Sequence, residues 1–418
     1  MAGNNIHRGR GRTRRVQLGA NRVLRICGSL YGGVLTLLII ESGATVAAAD
    51  VYSASVLYPL KPPGDLSSPQ MQTANAWGVV CTAYAVGGSG RALLWQAPSG
   101  NLVQLHPTNL SGFDSSAASN AFGTQQVGVG GLSSGSSHAL LWNGTPQSAV
   151  DLHPSGFTSS NATATNGSQQ VGAGRIATGI GPNHALLWNG TAESAVDLHP
   201  AGWYSSVARA TTGNQQVGHG FPPAPAGQYE HALLWSGTAD SAVDLHPTHL
   251  PAINGSFALG TADTQQVGYG NTTSGHRHAL LWRSTAATGV DLNPTGFVDS
   301  EAHDTNGSVQ VGQGDFHALV WSGTATSVID LHRLLPANPD LPIGVNAFSF
   351  SSAWTVDSVG TVFGTAYGNY DDYVGYFAVK WSAVPEPSGA CILGFIAGCV
   401  LRRHRKGTSP RLIFDLPG

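Results

Sequence analysis

The sequence predicts an all-β fold, a seven-bladed β-propeller, and three observations support this prediction. Near-copies of residues 184–200 recur through most of the chain, each with an apolar run of strand length followed by turn residues. Tryptophan marks the copies at positions 95, 142, 188, 235, 282, 321 and 381. Seven units of roughly this length are typical of a propeller with four-stranded blades. Charged residues make up only 10% of the chain, which disfavours a helical fold.

Each unit supplies four candidate strands, as residues 158–200 illustrate. Residues 159–164 are small and suit the innermost strand, which crowds the central axis. Residues 169–174, 185–188 and 195–199 follow as the second, third and fourth strands. Asn189-Gly190 predicts a tight type I′ turn between the last two. Leu186, Leu187 and Trp188 are expected to fill the contact between neighbouring blades.

The two ends of the repeat array predict how the ring closes. The seventh unit ends at Trp381 and lacks the Leu-His-Pro strand that follows in other units. Residues 51–59, near the N-terminus, match this missing strand. We therefore predict that an N-terminal strand completes the last blade, which removes two exposed sheet edges. The predicted propeller spans residues 50–383.

Both flanks of the propeller carry features of export. Residues 1–49 combine seven arginines, an apolar run at 28–40 and a small-residue Ala47-Ala48-Ala49 site, which predicts a signal peptide. An uncleaved membrane anchor is the alternative. At the other end, a polar motif precedes an apolar segment at 389–401 and a basic cluster, which predicts a C-terminal transmembrane sorting segment. The candidate sorting residues are Val384, Pro385, Glu386, Pro387, Ser388, Arg402, Arg403 and Arg405.

Two family resemblances rest on these residues. Residues 384–406 resemble the PEP-CTERM sorting signal of bacterial exported proteins, with a tail at 407–418 beyond it. The resemblance implies an exosortase-type sorting enzyme as partner, transient membrane contact, a cell-surface or extracellular location, and a role near extracellular polysaccharide or biofilm. The repeat is similar to the bacterial extracellular HAF repeat family, which brings no assigned activity. The matching residues are His138-Ala139-Leu140-Leu141-Trp142, Asp151-Leu152 and Gln170-Val171-Gly172.

Charge and cysteine content exclude several classes of partner. Residues 50–401 contain eight basic and 21 acidic residues, a net charge of about −13. Such a surface repels phosphate backbones, so we expect no nucleic-acid partner. Cys81 is the only cysteine in the predicted propeller. A disulfide framework and a cysteine-based metal site are therefore not expected there.

Histidine and aspartate recur at fixed positions of the repeat. A histidine opens the third strand, an aspartate lies in the fourth, and a second polar residue follows two positions later on the same face. We interpret them as hydrogen-bonded pairs within each blade, because equivalent residues of different blades lie too far apart to share a metal ion. No metal or cofactor is expected. The three positions in residues 184–200 are His184, Asp197 and His199.

No catalytic residue is predicted. Residues 131–135 match the Gly-x-Ser-x-Gly pattern, but that nucleophile motif requires a strand-to-helix turn, and here it lies between two predicted strands. The recurrent polar residues belong to every blade, which favours a scaffold role.

One face of the propeller is predicted to bind a ligand. The connections after the second and fourth strands are long and variable, whereas the other turns are short, and variable loops on a rigid scaffold commonly bind. The candidate binding face includes Trp203, Tyr204, Tyr229 and residues 334–350. The predicted function is a non-catalytic binding or structural module for polysaccharide or protein. The alternative is a carbohydrate-active lyase or glycosidase, with Glu193, Glu230 or Glu301 as candidate acids.

Overall fold

Seven four-stranded antiparallel sheets follow one another along the chain and confirm the predicted propeller. The computed structural model describes residues 14–18, 22–31, 34–40, 52–67, 69–85, 87–176, 181–223, 228–337 and 347–384. Within these residues the propeller contains strands and short 3-10 helices, and no α-helix. The first strand of each blade packs against the preceding blade, and the seventh blade packs against the first.

The strands of the first four blades have the following bounds. They are Gln70–Asn75, Gly78–Tyr84, Gly90–Gln96 and Asn101–Gln104 in blade 1; Phe113–Phe122, Gln125–Leu132, Ser137–Trp142 and Val150–Asp151 in blade 2; Phe157–Thr165, Gln170–Ile176, Asn183–Trp188 and Val196–Asp197 in blade 3; and Ser205–Thr211, Gln216–Phe221, His231–Trp235 and Val243–Asp244 in blade 4.

The last three blades follow the same order. Their strands are Ile253–Ala262, Gln265–Thr272, Arg277–Trp282 and Val290–Asp291 in blade 5; Ser300–Thr305, Gln310–Gly314, His317–Trp321 and Ile329–Asp330 in blade 6; and Phe348–Val356, Val362–Tyr370, Tyr373–Ala383 and the N-terminal Tyr52–Pro59 in blade 7. The 3-10 helices are Pro146–Ser148, Ala192–Ser194, Ala239–Ser241, Ala286–Thr288, Ala325–Ser327 and His332–Leu334.

The N-terminal strand completes blade 7, as predicted. Tyr52–Pro59 pairs antiparallel with Tyr373–Ala383, from Tyr52 opposite Ala383 to Pro59 opposite Phe377. The fully buried Leu60 extends the contact, since its N–H donates to the Tyr376 carbonyl at 2.8 Å. The outer edge of Tyr373–Ala383, the third strand of blade 7, is therefore covered by the N-terminal strand Tyr52–Pro59.

The predicted type I′ turn at Asn189-Gly190 is wrong. Gly190 has a φ of +88°, but Asn189 does not have the positive φ that this turn requires at both positions. Instead the Ser194 hydroxyl accepts from the Asn189 N–H at 2.8 Å and donates to the Thr191 carbonyl at 2.6 Å. These bonds stabilise the 3-10 helix Ala192–Ser194, a capping arrangement that the Thr-x-x-Ser spacing permits. The fourth strand is therefore only Val196–Asp197, shorter than predicted.

Large apolar side chains fill the interfaces between blades, as predicted. Trp188 and Leu186 of blade 3 are fully buried in one cluster with Val127, Leu141 and Leu152 of blade 2. Burying an aromatic or aliphatic side chain of this size contributes about 1.5–3 kcal/mol. The repeated Leu-Leu-Trp run therefore supplies the same contact at successive interfaces.

The paired glutamines of the repeat also join neighbouring blades. The Gln170 side chain is fully buried. Its amide oxygen accepts from the Gly190 N–H at 2.8 Å, and its amide nitrogen donates to the side-chain oxygen of Gln125 in blade 2 at 3.1 Å. Gln125 also accepts from the Thr165 hydroxyl at 2.9 Å. The same glutamine pair recurs at three further interfaces: Gln216 with Gln169, Gln266 with Gln215, and Gln310 with Gln265.

The flanking segments are described only in part. Arg14–Leu18, Arg22–Tyr31 and Val34–Ile40 form a three-stranded antiparallel sheet in a separate unit, Met1–Asp50. The predicted signal peptide covers this unit and stays a prediction. The sorting residues from Pro385 onward lie outside the described residues. Among the residues that the structure does describe, no helix has the length and apolar character needed to cross a membrane.

Candidate functional site in the central channel

Every blade carries a β-bulge in its first strand. In blade 3 the pairing register shifts between Ala162 and Ala164, so that Thr163 has no partner opposite it. Bulges redirect side chains, and they are common next to functional sites. The bulged residues differ in all seven blades, although much of the surrounding repeat is constant. They are Gln72, Ser119, Thr163, Arg209, Leu259, His303 and Trp354.

These seven bulged residues line one cavity on the propeller axis. The cavity has a volume of about 810 Å³. Its mouth lies at the turns between first and second strands, where Trp77, Asn166, Thr212 and Ser358 line it. Because strands alternate in direction, these turns lie at the opposite end of the blades from the connections after the second and fourth strands. The binding face predicted from the sequence therefore lies at the opposite end of the propeller from this cavity.

Two exposed aromatic side chains stand on the rim of the cavity. Trp77, from the first turn of blade 1, and Phe122, from the end of the first strand of blade 2, have ring centroids 4.6 Å apart. Each is 44% exposed, a large fraction for such apolar groups. Gly167 of blade 3 lies close to the Phe122 ring. The rim therefore offers an aromatic surface beside a polar channel.

The residues of the predicted binding face lie elsewhere on the propeller. Tyr204 and Tyr229 are 66% and 45% exposed, in the connection into blade 4 and in the loop before its third strand. Trp203 is half-buried and packs on the cluster that contains Leu233 and Trp235. None of the three lines the channel cavity among the described residues. Whether this face binds a ligand stays a prediction.

A polar cluster in blades 5 to 7 interrupts the repeat beside the channel. The Arg277 guanidinium pairs with the Glu301 carboxylate and lies 4.8 Å from the Tyr269 ring centroid. His303 donates through Nδ1 to the Ala353 carbonyl at 2.8 Å and stacks on Trp354. Burial alone would raise the pKa of Glu301, but His303 and Arg277 outweigh it and lower the pKa to about 2. Glu301 is therefore an ionised, fully engaged carboxylate.

A second group of ionisable residues lies in blade 4. Burial, followed by the charge of Arg209, lowers the pKa of His219 to about 3, so this imidazole is neutral. Its Nε2 lies 3.8 Å from a Glu230 carboxylate oxygen, beyond hydrogen-bond distance. Burial raises the pKa of Glu230, against the opposing charge of Arg209. The three groups thus influence one another without forming a close ion pair.

The recurrent histidines and aspartates form the predicted pairs within blades. His138 Nδ1 lies 2.7 Å from Asp151 Oδ2, and the His153 ring stacks on His138 at a centroid distance of 3.9 Å. His153 Nδ1 lies 2.9 Å from the Ser160 hydroxyl of the next blade, which accepts from the Ala139 N–H. Within the described ranges no three His, Cys, Asp or Glu residues are placed to share a metal ion. The histidines therefore join neighbouring blades.

The remaining candidate catalytic residues lie in different blades of the propeller. Ser133 follows the strand Gln125–Leu132, and the chain continues into the strand Ser137–Trp142, so the strand-to-helix turn of a nucleophile elbow is not formed there. Glu193 is an exposed residue of a 3-10 helix. Glu230 and Glu301 do not line the described channel cavity.

The fold and the channel define a β-propeller, and comparison with known proteins adds only distant likenesses. No family model matches the chain, and no curated protein matches it. A puromycin hydrolase structure is 13% identical with a TM-score of 0.49, over 78% of this chain and 55% of that one. The β-propeller domain of the trilobed protease from Pyrococcus furiosus is 8% identical with a TM-score of 0.45, over 77% and 99%.

A third likeness is to a lectin. The BP39L lectin from Burkholderia pseudomallei is 12% identical with a TM-score of 0.40, over 81% of this chain and 97% of that one. The chain spans about half the length of the puromycin hydrolase. At such low identity these likenesses are to the fold alone.

Proposed function

We propose that this chain is an exported, non-catalytic binding module that holds a saccharide at the mouth of its central channel. The observation that carries the proposal is the exposed Trp77–Phe122 pair on the rim of a cavity of about 810 Å³. Ligand sites combine apolar and aromatic walls with a few polar groups that set orientation. The seven bulged side chains supply this combination of apolar and polar groups on a scaffold that is otherwise regular.

A saccharide matches the chemistry of this mouth. Sugar rings present C–H faces, which pack on aromatic rings, and hydroxyl groups, which require hydrogen-bond partners. The cavity is lined by hydroxyl and amide side chains close to the aromatic rim, among them Thr73, Thr212, Asn120 and Asn166. The Asn120 and Asn166 side-chain oxygens already accept backbone N–H groups, but a purely apolar ligand would offer no partner to their NH2 groups, which costs free energy.

The decisive experiment compares the two ends of the propeller. Binding of a panel of neutral and uronic-acid oligosaccharides to the full chain is measured by isothermal titration calorimetry. Trp77→Ala and Phe122→Ala should weaken binding about tenfold or more, because each removes part of the aromatic surface. Tyr204→Ala and Tyr229→Ala are the matched controls, since they remove exposed aromatic rings at the opposite end.

Two other outcomes of this experiment would contradict the proposal. Loss of binding in the Tyr204 and Tyr229 variants alone would place the ligand on the opposite face. If no member of the panel binds, a purely structural coat protein becomes the better account.

Export and sorting form a separate part of the proposal, supported by the sequence of the two flanks. An exosortase-type enzyme is the proposed partner of residues 384–406, and the cell surface or extracellular matrix is the proposed location. Replacing Pro385, Glu386 and Pro387 by alanine should leave unprocessed chain in the membrane fraction of an exosortase-bearing host. Equal release of variant and wild type would contradict the sorting role.

A carbohydrate-active enzyme is the second candidate, favoured by one observation. The pKa of Glu230 is raised by burial, whereas that of Glu301 is lowered to about 2 against its own burial by His303 and Arg277. A glycosidase needs one protonated and one ionised carboxyl group. However, Glu301 is engaged by Arg277, and the two residues lie outside the described cavity lining. New reducing ends from a bound oligosaccharide, lost in Glu230→Gln, would establish the enzyme.

A further inference from the structure

Arg209 is the one permanently charged residue among the seven bulged residues of the channel. The Thr163 hydroxyl donates to the Ala208 carbonyl of the next blade at 2.7 Å, and His303 Nδ1 donates to the Ala353 carbonyl at 2.8 Å. The Arg209 guanidinium makes no hydrogen bond and no ion pair with any residue that the structure describes. A guanidinium carries five N–H donors, so this channel contains a cationic group with unused donors.

The unused donors of Arg209 face the solvent of the channel. Arg209 is an exposed residue that channel solvent reaches, and desolvation beside the channel wall lowers its pKa against the opposing effects of Tyr269 and Glu230. Glu230 lies more than 4 Å away, on the side of His219. An anion that reaches this charge in the channel is attracted to it more strongly than in bulk water, because the surrounding walls lower the effective dielectric constant.

A second orphaned polar atom lies in the same neighbourhood. His219 is only 6% exposed, and its Nδ1 has no hydrogen-bond partner among the described residues. His219 pairs with Val207, two residues before Arg209 in the neighbouring strand, and the charge of Arg209 contributes to its lowered pKa. Buried polar atoms without a partner are rare in folded proteins. Arg209 lines the cavity, whereas His219 lies outside its described lining, so Arg209 is the charged group of blade 4 that a ligand in the cavity would meet.

The acidic side chains of the cavity are already engaged. Asp304 is buried and accepts from the Val356 N–H at 3.1 Å, and Asp357 accepts from the N–H groups of Val359 and Thr361. Of the described lining residues, Arg209 alone carries a permanent positive charge. An anionic ligand group in this cavity would therefore meet one cation with free donors.

We infer that Arg209 binds an anionic group of an acidic saccharide, carboxylate or sulfate, so that the channel selects charged over neutral glycans. This inference rests on the proposed function and deepens it. A planar guanidinium meets carboxylate oxygens with two parallel hydrogen bonds, which adds geometric specificity to charge. Because residues 50–401 carry a net charge of about −13, diffuse electrostatic attraction to a polyanion cannot produce the same preference.

The test uses an oligogalacturonate, its fully methyl-esterified form and a sulfated galactan oligosaccharide, titrated into the full chain. The free acid should bind wild type at least about tenfold more tightly than its ester. Arg209→Gln should weaken the free acid about 10- to 100-fold and the ester little, because only the charge-assisted bonds are lost. Arg283→Gln is the matched control, since Arg283 is an exposed arginine that does not line the cavity. Tighter binding of the sulfated probe, with the same Arg209 dependence, would assign sulfate as the preferred group.

A second variant separates binding from folding. Leu259 occupies the equivalent bulge in blade 5, so Arg209→Leu places there a side chain that the scaffold already tolerates. This variant should melt at the wild-type temperature or above it, while losing the preference for the free acid. Equal binding of acid and ester, both weakened by Trp77→Ala, would overturn the inference and leave the proposed function intact. Absence of binding by every probe would contradict both the inference and the proposed function.

Discussion

The imidazole rings of His231 and His246 stack in blade 4, with centroids 4.1 Å apart and an angle of 12° between the ring planes. His231 Nδ1 lies 2.8 Å from Asp244 Oδ2, and His246 Nδ1 lies 3.1 Å from the Ser256 hydroxyl of blade 5. Burial, followed by the charge of His231, lowers the pKa of His246 to about 4, against the effect of Asp244. The same stacking recurs in blades 2, 3 and 6.

We expect these second histidines to make the propeller sensitive to acid. The unfolded chain binds a proton at His246 near pH 6.5, whereas the folded chain does so only near pH 4. The contribution of His246 to stability is thus complete above pH 6.5 and is lost as the pH falls towards 4, and the lowered pKa values of the other second histidines act in the same direction. His246→Asn should reduce the loss of unfolding free energy between pH 7 and pH 5 by about 1 kcal/mol, allowing for partial solvent screening.

Blade 5 supplies the precedent for this substitution. Asn293 stands at the equivalent position and accepts from the Ser300 hydroxyl at 2.6 Å, so asparagine can join the blades there without titrating. Denaturant titrations of wild type and variant at both pH values make the measurement. An identical acid dependence of the two proteins would contradict the role of His246.

A second prediction concerns the glycine of the Gln-Gln-Val-Gly motif. A Cβ on Gly172 would overlap the carbonyl oxygen of Asn161, because the bulge at Thr163 brings the first strand close to it. Gly172→Ala should destabilise the protein by several kcal/mol, since the overlapping atoms are backbone and cannot move aside. Gly64→Ala is the control, as nothing lies within 4 Å of its added Cβ. Thermal melts of the two variants should differ clearly, and equal melting temperatures would refute the close approach.

The bridging glutamines are expected to stabilise the contact between blades. Gln170→Ala removes its bonds to the Gly190 N–H and to Gln125 and leaves both partners poorly satisfied inside the protein. The expected cost is about 2–3 kcal/mol, measured as a lower midpoint of denaturation. Gln147→Ala, at an exposed position of a 3-10 helix, controls for the change of side chain and should have little effect.

Closure of the ring by the N-terminal strand gives a fourth prediction. Removing residues up to Pro59 exposes the edge of Tyr373–Ala383, which then offers unpaired N–H and C=O groups to other molecules. The truncated chain should melt at a lower temperature and associate as its concentration rises, as light scattering would show. A chain beginning at Asp50 is the control. Addition of a peptide covering residues 50–60 should reverse the association.

Much of the architecture could be predicted because it repeats. The tryptophan spacing, the apolar runs and the missing last strand indicated seven blades and their closure, and each copy supported the others. The turn at Asn189-Gly190 could not be predicted in the same way. Local propensity favours a hairpin there, but hydrogen bonds of the Ser194 hydroxyl to backbone groups favour a 3-10 helix.

The sequence did not predict the candidate site in the channel. A bulge depends on how two strands pair, and a short segment of sequence does not reveal that pairing. The repeat draws attention to constant residues, whereas the cavity is lined by the position that varies. A signal was nevertheless present, since an alanine precedes the bulged residue in six blades, as in Ala208-Arg209 and Ala302-His303. This alanine is small and nearly constant, so the changing residue after it indicates a side chain that faces something other than the scaffold.

The pairing of Tyr52–Pro59 with Tyr373–Ala383 also determines at which end of the propeller the chain enters and leaves it. Tyr52 lies opposite Ala383, so the first and last residues of the propeller lie side by side. Both lie at the end of blade 7 that carries the turn after Val356, the same end as the mouth of the channel. In a chain held by its C-terminal segment, the mouth would point towards the anchoring surface, and a long glycan would have to enter between protein and membrane. Under the proposed sorting role, release from the membrane would free the end of the propeller at which the channel opens.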